Sequence, residues 1–225
     1  MLDLPLSSLH RPAAPAESGS PDPWLLVLMH GVGSNEQDLF GLAPYVPAPF
    51  HVLSLRAPYR MGPNAHAWFE FSVNPDGTRT IHVPQEAASR VLLSQTVDAA
   101  ARQLGVPAER VVVGGFSQGG IMALSLLLTR PDLLHGAMAL HSRLLPQVLP
   151  LAAPADALQG RHLWVSHGVH DNVIALSSAQ AIRDHAATLP LELVYREYPG
   201  MHEIPPVELQ DAMAWLQGLA AAQGR

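Results

Sequence analysis

Gly115-Phe116-Ser117-Gln118-Gly119 sets one serine between glycines two positions to either side, after the apolar run Arg110 to Gly114 and before a helical segment, Gln118 to Leu128. A serine on so sharp a strand-to-helix turn projects its hydroxyl above a sheet, and side chains at the flanking glycines would collide. The competing reading of such a segment is a Gly-rich helix start that packs closely or binds phosphate. A serine hydroxyl is a weak nucleophile at neutral pH and needs a base, itself held in one tautomer by an acid. Asp171 follows the strand-like run His162 to His167, and His202 follows Leu191 to Tyr198. The order Ser, Asp, His is the one expected with this turn. Ser117 is thus the expected nucleophile, His202 the general base and Asp171 the acid that orients it.

Such chemistry also needs donors for an oxyanion. The backbone N–H of Gln118 stands at a helix amino terminus, where free amides and the helix dipole favour negative charge. His30-Gly31-Val32-Gly33 directly follows the run Trp24 to Met29, and Val32 is the expected second donor. Other residues compete for roles. His167-Gly168-Val169-His170-Asp171 has the look of a metal cluster, but no second ligand group at suitable spacing accompanies it. His141 and Asp132 stand in the wrong order for the triad and are read as core or surface, and Asp184 as a solvated helical position.

The elements that must position these residues alternate. Apolar runs WLLVLMH, HVLSLRA, RVVVGGF, GAMALHS, HLWVSHG and LELVYREY are separated by helical segments starting near Glu36, Pro84, Gln118 and Leu176, with a last helix from Pro206. Strand, helix, strand implies a mostly parallel sheet, and continuous apolar runs imply helices on both of its faces. A first strand is expected within Leu2 to Leu9, joined by the Pro/Ala/Ser/Gly-rich Arg11 to Pro23 as a hairpin connection. WFEFSVNPDGTRTIHV reads as a small hairpin excursion around Asp76-Gly77.

At 225 residues with 48% hydrophobic content, one α/β domain spanning residues 1–225 is expected. Net charge of −6 and 14% charged residues give no reason for a nucleic-acid partner. The chain has no Cys, which removes disulfides, thiolate metal sites and a cysteine nucleophile. The amino terminus lacks the features of a secretory signal, and no apolar stretch approaches the roughly 20 residues of a membrane span, so a cytoplasmic protein is expected.

The segments LMHGVGSNEQDL, APYRMGPNAHAWFEF, GFSQGGIMAL, HGVHDNV and YPGMHEI together resemble the bacterial phospholipase/carboxylesterase family, relatives of acyl-protein thioesterases within the α/β-hydrolase fold. The resemblance runs from about Trp24 to Trp215. It implies hydrolysis of carboxylic esters, in some members thioesters, with no metal or organic cofactor, and a possible homodimer. Trp68, Phe69, Phe116 and Met201 are expected around the substrate. The chain departs from the family pattern at Met201, where glycine commonly precedes the histidine, and at Asn172 and Ile174 in the acid loop. It also carries Ser142-Arg143 where many relatives have Ser-Gly, which implies a cation at the mouth of the site and esters bearing an anionic group.

Overall fold

The computed structural model describes residues 2–15, 22–76 and 78–223. Its elements in chain order are β1 (Ser8–Arg11), β2 (Trp24–Met29), α1 (Glu36–Phe40), β3 (Phe50–Leu55), β4 (Tyr59–Gly62), β5 (Ala65–Ala67), β6 (Phe71–Val73) and β7 (Arg79–Ile81). They continue with α2 (Val83–Leu104), β8 (Val111–Phe116), α3 (Gln118–Thr129), β9 (Gly136–Leu140), β10 (His162–Gly168), α4 (Leu176–Ala186), β11 (Glu192–Tyr198) and α5 (Pro206–Gln223).

Seven strands form one sheet in the order β1-β3-β2-β8-β9-β10-β11, parallel except for β1, which runs antiparallel to β3. All six residues of β2 are buried. Leu25, Val27 and Met29 belong to one hydrophobic cluster, with Leu93, Val97 and Met122. Trp24, Leu26 and Leu28 belong to the other, with Trp164, Ala212 and Leu216 of the α5 side. A strand whose successive side chains enter two different cores must read as a continuous apolar run, which is why the sequence lacks alternation there.

The strand order reverses between β2 and β8, since β3 lies beyond one and β9 beyond the other. At such a switch point the loops after the two strands part to opposite faces and leave a crevice at the carboxyl edge. The loop after β2 is His30 to Gly33, and the turn after β8 is Ser117.

Two expectations require correction. The first strand is Ser8–Arg11, later than Leu2 to Leu9, and it pairs with β3. Arg11 to Pro23 is therefore no hairpin connection: β1 and β2 are not neighbours, because β3 stands between them. The excursion after β3 holds two hairpins. β6 and β7 form the one expected, although Gly77 of its turn lies outside the described residues, and β4 with β5 forms another not expected from the sequence.

Candidate active site

Ser117 has φ 54° and ψ −117°, a conformation that L residues avoid, and it caps α3, a helix buried along nearly its whole length. The turn that holds it demands glycine. A Cβ on Gly119 would lie 1.9 Å from the carbonyl oxygen of Met29 on β2, and one on Gly115 would lie 2.3 Å from the backbone of Gly119. The backbone N–H of Ser117 donates to the Leu140 carbonyl (2.9 Å), and the Ser142 hydroxyl donates to the Ser117 carbonyl (3.0 Å). The strained serine is therefore braced by the end of β9 and the residues after it.

Two loops, after β10 and β11, bring the remaining groups to it. Ser117 Oγ lies 2.9 Å from His202 Nε2, and His202 Nδ1 lies 2.7 Å from Asp171 Oδ2. The backbone N–H groups of Val173 and Ile174 both donate to Asp171 Oδ1 at 2.8 Å. Burial alone would raise the Asp171 carboxyl, but the bonds from His202, Ile174 and Val173 outweigh it and hold the group below its ordinary value. A carboxylate that stays ionised and fixed is what an imidazole needs to keep its proton on Nδ1 and its lone pair on Nε2.

The Asp171 carboxylate is approached by two further imidazoles. His141 Nδ1 and His167 Nε2 each lie 3.3 Å from its Oδ2. The other ring nitrogen of His141 is 2.9 Å from Glu208 Oε2 on α5, and Glu208 Oε1 accepts from the Ser166 hydroxyl at 2.6 Å. His141, His167 and Glu208 are all fully buried. Burial pushes His141 down, but the carboxylates of Glu208 and then Asp171 outweigh it and raise the imidazole above its ordinary value. Burial lowers His167, whose Nε2 also bonds the Ile174 carbonyl at 2.7 Å. His141, expected from the sequence in the core or at the surface, lies in the core and bonds Glu208, a residue the sequence does not single out. The one local signal for His141 was its place at the end of an apolar strand, and its φ of 50° marks a constrained position.

The other sequence candidates are distributed as follows. Val32, Phe69, Gln118 and Arg143 line a small cleft of about 20 Å³ enclosed volume together with Ser117. Trp68 does not line it: the residue is fully buried, its indole N–H donates to the His30 carbonyl (2.9 Å), and its ring lies beside His30. The Gln118 side chain accepts from the Trp68 N–H (2.8 Å) and donates to the Phe69 carbonyl (2.7 Å), clamping that segment to the start of α3. Trp68 therefore supports the cleft from below. Phe116 packs its ring 4.7 Å from that of His202, and Met201 is half exposed outside the cleft lining. His170 faces solvent, so the His167-His170-Asp171 pattern does not converge. Among the described residues, the atoms close enough to share a metal ion are those of His141, Asp171 and His202, already bonded to one another. A larger apolar groove of about 910 Å³ lies between α5 and the Tyr45 to Pro49 segment and includes no member of the Ser117 constellation.

Residues 13–220 match the model of the phospholipase/carboxylesterase family. The chain belongs to that family. It is 27% identical over 179 residues to acyl-protein thioesterase 1 of Gibberella zeae, covering 74% of each chain, and 35% identical over 124 residues to a probable carboxylesterase of Oryza sativa, covering 53% of this chain and 46% of that one. Among solved structures it superposes on esterase PE8 with a TM-score of 0.82 at 23% identity, covering 95% of this chain and 99% of that one. It superposes on a carboxylesterase of Bacillus cereus with a TM-score of 0.79 at 20% identity, covering 95% and 94%. The phospholipase/carboxylesterase member described here thus has the α/β-hydrolase fold. No helix among its described residues is long and apolar enough to cross a membrane.

Proposed function

We propose that this phospholipase/carboxylesterase member is a serine carboxylesterase acting on small esters through an acyl-enzyme. The observation that carries the reading is the unbroken contact from Ser117 Oγ to His202 Nε2 (2.9 Å) and from His202 Nδ1 to Asp171 Oδ2 (2.7 Å). Nε2 takes the serine proton as Oγ bonds the ester carbonyl carbon, and the imidazolium is stabilised by Asp171. The carbonyl oxygen gains the charge and is met by the amides of Val32 and Gln118, which border the same cleft. Collapse breaks the bond to the alcohol oxygen, which leaves with the proton from His202. Water, losing a proton to the same nitrogen, then attacks the acyl carbon, and Ser117 recovers its hydrogen as the acid departs.

The family resemblance also admits an acyl-protein thioesterase, but the cleft favours a small acyl group. Its enclosed volume of about 20 Å³ falls far below the span of about 300–1,000 Å³ that houses drug-sized ligands, and it is walled by Phe69, Ile121 and Ile174. Reaction with a fluorophosphonate probe, followed by aryl acetate, butyrate and palmitate hydrolysis and a palmitoyl thioester control, tests this. Stoichiometric labelling at Ser117 and kcat/KM falling with acyl length are expected. Preference for the palmitoyl thioester would replace this reading with the thioesterase, and absence of labelling would refute a serine enzyme.

A further inference from the structure

The same cleft is bordered by two guanidinium groups, Arg143 beyond β9 and Arg79 on β7. Neither pairs with a carboxylate among the described residues, although several other arginines of the chain do. Both are half-buried. The Arg143 Nε is wholly shielded from water and has no hydrogen-bond partner. A buried donor of a charged group left unmatched is costly, so its retention at a cleft calls for a ligand that supplies the acceptor.

Each arginine is held where it stands by contacts that lead back to the reacting groups. Arg143 follows Ser142, whose hydroxyl bonds the Ser117 carbonyl, so its backbone position is tied to the nucleophile. Arg79 Nη2 donates to the Val173 carbonyl (2.8 Å), two residues beyond Asp171, and its guanidinium carbon lies 5.2 Å from the Phe71 ring centroid. That leaves the remaining N–H groups of Arg79 for other partners. Burial first, and Arg79 second, push the Arg143 guanidinium below its ordinary value, so the two cations weigh on one another across the cleft. Two like charges on one small cleft, with no acid among its described lining residues, repel until an anion enters.

We propose that Arg79 and Arg143 form an anion subsite beside Ser117, which makes the preferred substrates small esters that carry a carboxylate or phosphate group. The proposal rests on the esterase reading for its substrate, but the subsite is testable without turnover. The apolar wall of Phe69, Phe71 and Ile174 fits a short carbon spacer between the ester and the anion. Planar forks of N–H donors match carboxylate and phosphate oxygens in paired bonds, and these are stronger where water is partly excluded.

Two substrate pairs of equal size separate the source of the anion: 4-nitrophenyl hydrogen succinate against the neutral 4-nitrophenyl pentanoate for the acid side, and 4-acetoxybenzoate against its methyl ester for the alcohol side. In at least one pair the charged ester should have kcat/KM at least 10-fold above the neutral one. Arg143→Gln should reduce that charged-to-neutral ratio by about 10 to 100 fold, and Arg79→Gln by about 3 to 10 fold. Binding is read independently with succinate and inorganic phosphate on Ser117→Ala by calorimetry, where the charged ligand should bind at least 10-fold more weakly once Arg143→Gln is added. Equal kcat/KM within both pairs, together with no succinate or phosphate binding to Ser117→Ala, overturns the subsite even when fluorophosphonate labels Ser117. Anion binding that depends on Arg143 in a protein that does not react with fluorophosphonate leaves the subsite standing and defeats only the esterase reading.

Discussion

His141 Nδ1 lies 3.3 Å from the same Asp171 oxygen that His202 contacts, while its Nε2 lies 2.9 Å from Glu208. With a carboxylate at each nitrogen, the ring satisfies both only as imidazolium, and the longer 3.4 Å approach of the Gly168 N–H to Nδ1 gives way. Asp171 is thereby tied through His141 to Glu208 on α5, which makes His141 a positioning residue for the acid. His141→Asn should lower kcat about 10-fold with KM within 2-fold, because His202 then meets a less constrained carboxylate. An unchanged kcat would show that Asp171 is held in place without His141.

The same arrangement sets a stability profile on the alkaline side. The folded value of His141 is raised above the ordinary 6.5 by Glu208 and Asp171 against the opposing effect of burial, so folding binds a proton that the unfolded chain releases first. The contribution is complete below about pH 6.5 and is lost as pH rises through the folded value. Urea denaturation between pH 6 and 9 should show the native protein losing stability as pH rises, and His141→Asn should flatten that slope. Parallel slopes would contradict the bridging imidazolium.

On the acid side the sign reverses at His135. Burial, aided by His162 and Arg161, lowers its imidazole to about 4, so between about pH 6.5 and 4 the unfolded chain binds a proton that the folded one refuses. Stability from this residue is present above 6.5 and falls away as pH drops toward 4. The imidazole proton resonances of His135 should titrate well below pH 6.5, and a midpoint near 6.5 would refute the shift.

Ser117→Ala, His202→Ala and Asp171→Ala should each lower kcat by roughly 10⁴ to 10⁶ for the two proton-transfer residues and somewhat less for the aspartate, with circular dichroism unchanged. Double and triple combinations should add little, since the three act as a unit. A product of independent losses would mean that at least one acts elsewhere.

Glycine chemistry gives the last prediction. A Cβ at Gly119 would meet the Met29 carbonyl at 1.9 Å, with backbone on the far side unable to retreat, so Gly119→Ala should cost on the order of 3 kcal/mol or more. Gly218 is exposed on α5 with nothing within 4 Å of an added Cβ, and Gly218→Ala should raise stability by about 0.5–1 kcal/mol. Thermal unfolding of the two variants checks the contrast, and a well-folded Gly119→Ala would show that the turn yields.

Much of this was legible in the sequence because it is local or periodic. Runs such as Trp24 to Met29 declare strands buried on two faces, and Gly115, Ser117 and Gly119 declare a turn whose glycines answer to backbone a few residues or one strand away. The order Ser117, Asp171, His202 follows from loops at the carboxyl ends of the parallel strands β8, β10 and β11, which one chain direction fixes. Tertiary packing decided the rest, because the partners are far apart in the chain. His141 meets Glu208 across 67 positions only when α5 folds back over the sheet, and nothing in the neighbourhood of either residue marks the other. β1 pairs with β3 through a register set by the whole sheet edge, not by the segment that follows it. Trp68 lies in the core because the Gln118 side chain and the His30 carbonyl capture its backbone and indole N–H groups, and a periodic reading of an aromatic pair cannot tell a cleft wall from its foundation. Arg79 and Arg143 share one cleft because the β6 and β7 hairpin folds back toward the loop after β9, a juxtaposition that exists in space and not along the chain.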